Sequence, residues 1–528
     1  MEIIDNVALR LKVPNRIAPN LFAGIKKIEL LSDNGVQQDV AVYWGYDEAA
    51  LLAYMLDTEQ PNQHIPDVPS PIIRDYDWPG IHRPFDHQKD TASFLSLRQR
   101  AFCFNEAGTG KTSAAIWAAD YLMRIGKVRR ALIICPLSIM QTAWQADIFK
   151  TAMHRTCAIA HGDVAKRRKI IEADYQFVII NYDGVGIIKD AISTSNFDLI
   201  IVDEANAYKS ATTKRWKVLA QLLKAETRLW MMTGTPASQS PVDAFGLARL
   251  VSPYRVPKYI TSWRDKVMNQ ITRFKWLPKP DSKAHVHYAL QPAIRYTKRE
   301  CLDLPEVTYQ TRHVPLSKQV VEYYKRLKTQ MLVEAAGETI SAVNAAASLS
   351  KLLQLSGGAV YTDGKEVVEF DISPRLSALK ETLEETSNKV VVFVPYLHTI
   401  DVVREFLSSE GYTNEVIQGS VSPRERANII NKFQQQADPK VLVIQPQSAS
   451  HGVTLTAADT LVFWSPVMSV ETYLQCIGRI DRVGQRNPCT VVHLQGSEAE
   501  RRVYNMLQGK VDSHQKLVDL YKQELEEE

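Results

Sequence analysis

The sequence predicts an α/β protein in which two lobes in tandem, each a parallel sheet with flanking helices, follow a small α+β unit. From about residue 83, short apolar runs alternate with helical stretches: AFCF, ALIICP, FVIINY, LIIVDE and LWMMTGTP. A mainly helical stretch over residues 318–355 separates them from a second series: KVVVFVP, NEVIQG, KVLVIQP, TLVFWSP and TVVHLQG. Such alternation is typical of parallel strands joined by crossover helices.

The first 75 residues form the predicted α+β unit. The runs VALRLKV and DVAVYWG alternate as strands do, and DEAALLAYML has helical spacing. Residues 1–75 contain 6 Lys and Arg against 11 Asp and Glu, a net charge of −5, so residues 76–528 carry +9. We expect this acidic unit to dock on the basic body, where it restrains the lobes or reads a protein partner. A purely structural appendage is the alternative.

Four parts are predicted along the chain, because 528 residues are too many for one core. The proline-rich residues 61–84 indicate a linker. The predicted parts are an accessory domain with its linker (1–75), a first lobe (76–310), a helical insertion (311–370) and a second lobe with a C-terminal helix (371–528).

The composition is that of an ordinary globular protein, with 45% hydrophobic and 23% charged residues. The sequence shows neither a secretion signal nor an apolar run of membrane-spanning length, so no membrane association is expected. The six cysteines are scattered without a C-x-x-C pair, which argues against zinc and disulfides and for a reducing compartment. We expect a cytoplasmic protein.

A phosphate-binding loop is predicted in NEAGTGKT, between the strand AFCF and a helix. Glycines let backbone N–H groups approach phosphate oxygens, the lysine neutralises the β- and γ-phosphates, and the threonine hydroxyl binds Mg²⁺. The strict G-x-x-x-x-G-K-[ST] pattern fails, because Asn105 stands where its first glycine would be. The alternative is an ordinary turn. The candidate nucleotide-binding residues are Gly108, Thr109, Gly110, Lys111 and Thr112.

Two adjacent carboxylates, Asp203 and Glu204, end the apolar run LIIV. Ligands of doubly wound sheets bind at the carboxyl ends of the strands. Asp203 together with Thr112 is therefore predicted to hold Mg²⁺, and Glu204 to polarise the attacking water. A helix cap followed by a first-turn acid is the alternative.

The chain resembles the SNF2-like (Swi2/Snf2) branch of the superfamily 2 helicases. The resemblance covers about residues 83–505 and rests on NEAGTGKT, ALIICPLSIMQTAWQADI, IIVDEANAYKS, WMMTGTPASQS, LQPAIRYTKRECLDLP and YLQCIGRIDRVGQ, which occur in the family's order. It implies two RecA-like lobes with helical insertions and an ATP-driven translocase on double-stranded DNA that uses ATP and Mg²⁺. The short motif segments are similar to those of compact prokaryotic or phage-like members.

The resemblance also assigns roles in the second lobe. By this likeness Gln88 reads adenine, and Gln475, Arg479 and Arg482 complete the ATP site from the second lobe. Two arginines three residues apart lie on one face of a helix, so they can neutralise charge on the γ-phosphoryl together. A structural salt bridge is the alternative for either arginine alone.

Four residues are expected to couple the ATP site to nucleic acid. In the family, TGTP links the two, and the residue two positions after the acids is most often His. Asn stands there in this chain and cannot become cationic, so we expect it to couple through neutral hydrogen bonds with Gln475 or Thr233. The coupling residues are Asn206, Thr233, Gly234 and Thr235.

DNA contacts are predicted in three loops that follow strands, LSIMQTAW, QGSVSPRERANII and SASHGVTL. Hydroxyl groups, arginines and backbone amides there would bind phosphates without reading sequence. Loop caps or solvated charges are the alternative for each residue alone. The candidates are Ser138, Ser420, Arg424, Ser450, His451 and Thr454.

The predicted function is ATP-dependent translocation on double-stranded DNA that remodels or displaces bound protein, by a monomer in the nucleoid of a prokaryotic or phage-infected cell. Branch migration, fork regression or annealing on branched DNA is one alternative. A nucleotide-gated DNA-binding regulator with low turnover is another, and the intact Lys111, Glu204 and arginine pair count against it.

Overall fold

The structure, a computed structural model, describes residues 1–59, 68–234, 236, 240–271, 276–301, 304–337, 342–361, 367–449 and 453–509. The chain divides into two compact units, Met1–Cys301 and Leu302–Glu528. Each unit contains one large parallel sheet, so the predicted α/β class with two RecA-like lobes is confirmed. Within the described ranges no helix is long and apolar enough to cross a membrane.

The N-terminal part is a four-stranded antiparallel sheet in the order β1-β2-β4-β3. Alternate residues of β2 are buried, and they pack with the helix that follows β4, as the period-2 pattern requires. The predicted small α+β unit is therefore confirmed. Its elements are β1 (Glu2–Ile4), β2 (Ala8–Pro14), α1 (Ala18–Leu21), β3 (Ile28–Asp33), β4 (Gln37–Tyr43) and α2 (Tyr46–Glu59).

Acidic side chains of α2 attach this N-terminal sheet domain to the rest of the first unit. The Asp57 carboxylate accepts two hydrogen bonds from the Arg98 guanidinium, at 2.9 and 3.2 Å, and Arg98 is 6% exposed. The Lys127 ammonium lies 2.6 Å from an Asp47 carboxylate oxygen. These contacts dock the acidic segment on the first lobe, whereas its restraint of the lobes or reading of a partner stays a prediction.

Replacing Asp57 by alanine is expected to lower the free energy of unfolding of the first unit by about 3 kcal/mol, because it leaves the buried Arg98 cation without this carboxylate. Denaturant unfolding of the full chain measures it. Asp190→Ala, which breaks the exposed pair with Arg168, is the control and should leave stability unchanged. Equal effects of the two substitutions would contradict this role for the Asp57–Arg98 pair.

The predicted linker is wrong for residues 68–82, which lie packed on the first lobe; residues 60–67 fall outside the described ranges. The Trp117 indole N–H donates to the Pro79 carbonyl at 2.9 Å, and the Trp78 ring meets the Trp117 ring edge-on. The Tyr76 hydroxyl donates to the buried Asp120 carboxylate. Aromatic packing, which proline-rich composition does not reveal, holds this segment in place.

The first lobe contains a seven-stranded parallel sheet in the order β13-β5-β10-β9-β6-β8-β7. The interior strands are buried along nearly their whole length and apolar cores cover both faces, which explains their continuous apolar sequences. The strands are β5 (Arg100–Cys103), β6 (Ala131–Cys135), β7 (Cys157–Ile159), β8 (Phe177–Asn181), β9 (Leu199–Asp203), β10 (Arg228–Met232) and β13 (Ala293–Ile294), besides the hairpin of β11 (Met268–Gln270) and β12 (Trp276–Pro278).

Helices flank this sheet and connect its strands. They are α3 (Ile72–Asp75), α4 (Asp86–Leu97), α5 (Lys111–Arg124), α6 (Ala146–Thr151), α7 (Val164–Glu172), α8 (Tyr182–Ile187), α9 (Lys189–Thr194), α10 (Lys214–Leu222), α11 (Ala244–Val251), α12 (Ile260–Val267), α13 (Ser282–Ala289) and α14 (Lys298–Cys301). Short 3₁₀ turns cover Leu137–Ile139, Ala205–Tyr208, Pro241–Asp243 and Pro253–Arg255, and a π-helical turn covers Met140–Gln145.

The second unit holds a six-stranded parallel sheet in the order β14-β21-β20-β17-β19-β18. Its strands are β14 (Val307–His313), β17 (Lys389–Phe393), β18 (Asn414–Ile417), β19 (Val441–Ile444), β20 (Ala458–Phe463) and β21 (Cys489–Gln495), and β15 (Ala359–Tyr361) pairs with β16 (Val367–Glu369). Its helices are α15 (Lys318–Gly337), α16 (Ala342–Gly357), α17 (Ser373–Glu384), α18 (Leu397–Ser409), α19 (Pro423–Gln435), α20 (Pro446–Ala449), α21 (Val470–Ile477) and α22 (Glu498–Leu507).

The predicted boundary at residue 310 falls inside a strand of the second sheet. Strand β14 pairs along its whole length with β21, and the two units meet in sequence at residues 301 and 302. β14 lies at the sheet edge and is largely exposed, so its polar sequence VTYQTRH lacks the apolar signal of an interior strand.

Candidate functional site

The predicted phosphate loop lies between β5 and α5, the order that such loops require. Gly108 and Gly110 have φ angles of 91° and 81°, a left-handed conformation that favours glycine. A Cβ atom on Gly110 would lie 2.0 Å from the Gln88 side-chain nitrogen. Lys111 is the first residue of α5 and is 9% exposed. Backbone N–H groups, the helix N-terminus and a lysine therefore converge at this loop.

Helix α4 supports the phosphate loop from one side. The Gln88 side-chain amide donates to the Thr109 carbonyl at 3.1 Å, and its carbonyl accepts from the Phe85 N–H. His87 Nε2 lies 2.8 Å from the same Thr109 carbonyl. Beyond these bonds, the Gln88 amide has one more hydrogen to donate and one more lone pair to accept with, which are the groups that adenine binding needs. Adenine binding by Gln88 stays a prediction.

Asn105, the residue that departs from the strict phosphate-loop pattern, connects the loop to two neighbouring segments. Its side-chain amide donates to the Thr91 hydroxyl at 2.8 Å, and its side-chain carbonyl accepts from the Tyr296 N–H at 3.0 Å. The Tyr296 hydroxyl donates in turn to Asp90 on α4 at 2.9 Å. Tyr296 therefore anchors the segment RYTKRE to the phosphate loop and to α4.

Asp203 and Glu204 lie where the sequence predicts, at the carboxyl end of β9. Asp203 is 5% exposed, and its Oδ2 accepts from the Trp144 indole N–H at 2.9 Å while Oδ1 accepts from the Glu204 N–H at 3.0 Å. Glu204 has the left-handed φ of 48°, which is strained for a non-glycine residue. The Tyr182 hydroxyl donates to the Asp203 carbonyl at 2.6 Å and lies 3.2 Å from the Glu204 carbonyl. The backbone therefore leaves the strand direction at Glu204, directly after Asp203 ends β9.

Burial raises the pKa of the Asp203 carboxyl, and the neighbouring Glu204 charge raises it further. The Lys111 ammonium and the Trp144 N–H oppose that rise, so the phosphate-loop lysine acts on this carboxylate. A buried carboxylate next to a second, partly exposed acid fits the chemistry of Mg²⁺ bound with phosphates. The residues present therefore fit ATP and Mg²⁺, with Asp203 and Thr112 as the candidate ligands of the ion.

Magnesium-dependent binding of nucleotide is expected to weaken as pH falls. Because the pKa of Asp203 is raised, protons compete with Mg²⁺ for this carboxylate at a higher pH than they would at an Asp with an ordinary pKa. The Mg²⁺ concentration that half-saturates ADP binding, measured at several pH values, tests it. In Asp203→Asn that concentration should be higher and should lose this pH dependence. A wild-type value that does not change with pH would contradict the prediction.

The predicted coupling residues partly fall within the described ranges. The Thr233 N–H donates to the Cys103 carbonyl at 3.0 Å, and a Cβ on Gly234 would lie 3.3 Å from the Ala107 nitrogen, so this turn packs on the phosphate loop. Asn206 lies in the 3₁₀ turn after Glu204, where its carbonyl accepts from the Lys209 N–H. Thr235 lies outside the described residues. Coupling by Asn206 stays a prediction.

The prediction that Arg479 and Arg482 lie on one helix face is wrong, because α21 ends at Ile477 and Gly478 caps it. The carbonyl of Val453 brings them together instead, since it accepts from Arg479 at 3.3 Å and from Arg482 at 3.1 Å. Arg479 also donates from Nε to the Gln475 carbonyl at 2.8 Å and is 5% exposed. The pair therefore forms one cationic cluster on the second unit.

The predicted DNA contacts occupy loops at the carboxyl ends of strands. Ser138 follows β6 and is partly exposed; Ser420 and Arg424 follow β18 and are exposed. Thr454 is partly exposed and adjoins Val453, whose carbonyl holds the arginine pair. Ser450 and His451 lie outside the described residues. The DNA-binding role of all these residues stays a prediction.

Sequence reasoning missed two residues that hold the acid pair, Trp144 and Tyr182. The tryptophan stands within ALIICPLSIMQTAWQADI, a stretch that carries the family resemblance, and the tyrosine directly follows β8 in FVIINY. Neither side chain belongs to a residue type that signals phosphate or metal chemistry. Only the fold shows that both reach the end of β9.

Two family models match the chain. The SNF2-related domain matches residues 87–357, more than half of the chain, and the helicase conserved C-terminal domain matches residues 374–484. A solved Sulfolobus solfataricus SWI2/SNF2 ATPase core in complex with dsDNA is 22% identical with a TM-score of 0.42, and the match covers 84% of this chain and 96% of that one.

Curated relatives come from animals, bacteria and phages. The mouse (Mus musculus) chromodomain-helicase-DNA-binding protein 1-like is 25% identical over 77% of this chain and 46% of its own length. An uncharacterized ATP-dependent helicase of Mycoplasma genitalium is 25% identical over 74% of this chain and 37% of its own. A protein of Acyrthosiphon pisum secondary endosymbiont phage 1 is 24% identical over 78% and 92%. The chain thus spans less than half of the mouse and mycoplasma relatives.

Proposed function

Because the chain belongs to the SNF2-related family and carries its helicase-like ATPase core, we propose that it hydrolyses ATP to move along double-stranded DNA and to remodel or displace bound protein. The observation that carries this proposal is the Asp203–Glu204 pair at the end of β9, in which Asp203 is buried, Glu204 is partly exposed and the Lys111 charge acts on Asp203. An acid pair beside a phosphate loop is the arrangement that nucleotide hydrolysis requires.

Each candidate ATP-site residue of the first unit has a distinct task in this proposal. Lys111 and the N–H groups between Gly108 and Thr112 bind the phosphates, and Thr112 with Asp203 holds the ion. Bound Mg²⁺ neutralises charge that the phosphates and Asp203 would otherwise carry unshielded. Glu204, turned out of the strand by its left-handed backbone, orients and deprotonates the attacking water.

The arginine pair of the second unit has a proposed role of its own. We assign to Arg479 and Arg482 the stabilisation of charge on the γ-phosphoryl group as its bond breaks. Their common anchor on the Val453 carbonyl orients both guanidinium groups before nucleotide arrives. Val453 and Thr454 belong to the predicted DNA-binding loop SASHGVTL. The backbone segment proposed to contact DNA is therefore also the one that holds the arginine pair.

DNA is the proposed track for three reasons. Residues 76–528 carry a net charge of +9, and the candidate contacts Ser138, Ser420 and Arg424 are at least partly exposed and offer hydroxyl and guanidinium groups, which bind phosphates without reading bases. The name of the mouse relative includes helicase and DNA-binding. The relatives from Mycoplasma genitalium and a phage support a prokaryotic or phage setting.

Displacement of a third DNA strand from a duplex tests this function. With ATP, the wild-type chain should release the third strand from a triplex while the underlying duplex stays paired. Lys111→Ala should bind DNA and release nothing. Separation of the duplex strands without release from the triplex would contradict the proposal and favour a strand-separating helicase.

A further inference from the structure

Asp203, the candidate Mg²⁺ ligand, is oriented by a side chain from the segment that follows the neighbouring strand β6. Its Oδ2 accepts from the Trp144 indole N–H at 2.9 Å, inside a site where Trp144 is 0% exposed and Asp203 5%. A hydrogen bond between groups so well shielded from water fixes the carboxylate's rotation. Among the described residues, the other oxygen accepts from the adjacent backbone N–H of Glu204, so the indole supplies the hydrogen bond from a segment distant in sequence.

The backbone that carries Trp144 is unusual, since Met140–Gln145 form a π-helical turn between a 3₁₀ turn and α6. A π turn holds one residue more than an α turn, and such turns occur frequently at functional sites. One extra residue changes the direction of every following side chain by about 100° relative to a continuous α-helix. The direction of the indole therefore depends on the winding of this turn.

The π turn begins two residues after Ser138, the predicted DNA-phosphate contact. The Thr142 hydroxyl donates to the Ser138 carbonyl at 3.0 Å, which ties the exposed loop to the turn. On the buried side, Ile139, Met140 and Trp144 pack in one apolar core of the first lobe. One end of this short segment faces solvent at Ser138, and the other end holds the Asp203 carboxylate.

We propose that Trp144 is a positioning residue for Asp203, and that the π turn transmits phosphate binding at Ser138 to the Mg²⁺ affinity of the Asp203 site. This inference rests on the proposed function, because it requires ATP, Mg²⁺ and DNA as ligands. Phosphate bound at the Ser138 loop pulls on the 3₁₀ turn and changes the winding of Met140–Gln145. The indole N–H then moves with the turn, and the carboxylate follows it.

Trp144→Phe removes the indole N–H and keeps an aromatic ring in the core. The matched control is Trp230→Phe. Trp230 lies in the same apolar core, but its N–H donates to the carbonyl of Arg98, which precedes β5, and not to an acid of the site. The readout is equilibrium binding of a fluorescent ADP analogue, titrated with Mg²⁺, without and with duplex DNA. This measures the Mg²⁺ concentration that half-saturates binding and needs no turnover.

The half-saturating Mg²⁺ concentration should rise about 10-fold in Trp144→Phe, the usual effect of removing a hydrogen-bond partner of a metal ligand, and binding without Mg²⁺ should not change. Duplex DNA should shift this concentration in the wild type and in Trp230→Phe, but not in Trp144→Phe. A Trp144→Phe value within twofold of wild type, or an equal rise in Trp230→Phe, would overturn the proposal.

Thr142→Val decides the matter if Trp144→Phe does not fold, since Thr142 is exposed and only its bond to Ser138 is lost. The DNA-induced shift should disappear in this variant, and its persistence would overturn the transmission through the π turn. Failure of the proposed function is distinguishable, because the wild type would then bind nucleotide without any dependence on Mg²⁺ or would not bind duplex DNA in a parallel binding titration. A wild type that binds duplex DNA and binds nucleotide in a Mg²⁺-dependent way, but shows no DNA-induced shift, overturns this inference alone.

Discussion

Replacing Glu204 by glutamine is expected to reduce ATP hydrolysis by at least about 100-fold, because an amide cannot accept the proton of the attacking water. Nucleotide binding should persist, since Lys111, Thr112 and Asp203 remain. The left-handed backbone at Glu204 and the Tyr182 hydroxyl on the adjacent carbonyls do not depend on the side-chain charge, so the fold should be kept. Steady-state hydrolysis and nucleotide binding by the same preparation measure both effects.

Glu226→Gln is the control for this prediction, because Glu226 is an exposed acid of the same lobe. It should hydrolyse ATP as the wild type does. Turnover of Glu204→Gln equal to that of the wild type would remove the catalytic assignment of this residue.

Substituting lysine for Arg479 or Arg482 is expected to slow hydrolysis by about 10³-fold or more, the range found for arginines that stabilise a transferring phosphoryl group. Lysine keeps the charge but loses the planar fork that lets one guanidinium contact a carbonyl and a phosphate together. Single-turnover hydrolysis, with the protein in saturating excess over ATP, separates this loss from weaker binding.

Arg486→Lys is the matched control, since Arg486 is exposed and lies in the same GRIDRVGQR segment. Its rate should equal that of the wild type. Arg479 has a second role, because its side chain also holds the carbonyls of Gln475 and Val453. The Arg479 variant should therefore also unfold at a lower temperature than the Arg482 variant. Hydrolysis at the wild-type rate by both lysine variants would contradict the catalytic role of the pair and leave it a structural one.

The interior strands of both sheets could be predicted from sequence, because parallel strands buried on both faces must be continuously apolar. Strand β14 and the packed segment 68–82 could not. The first is an edge strand with polar residues, and the second is held by single aromatic contacts such as Trp78 on Trp117, which leave no periodic pattern. Local composition thus predicted the layers but not the segments that join them.

The candidate site divides in the same way. Lys111, Asp203 and Glu204 were predictable, since their chemistry depends on residue type and on a strand-to-loop order that the sequence displays. Trp144 and Tyr182 were not, because their effect on the acids arises from strand order, in which β6 lies next to β9 and β8 next to β6. The arginine pair was assigned to a helix by its spacing, but Gly478 ends the helix one residue before Arg479.

Whether duplex DNA is the track of an ATP-driven motor can be measured as the rate of ATP hydrolysis with no DNA and with single-stranded, duplex, forked and four-way DNA. We expect plain duplex to stimulate hydrolysis well above single strands, and forked and four-way DNA to add nothing beyond their duplex arms. Stimulation by single strands alone would contradict it.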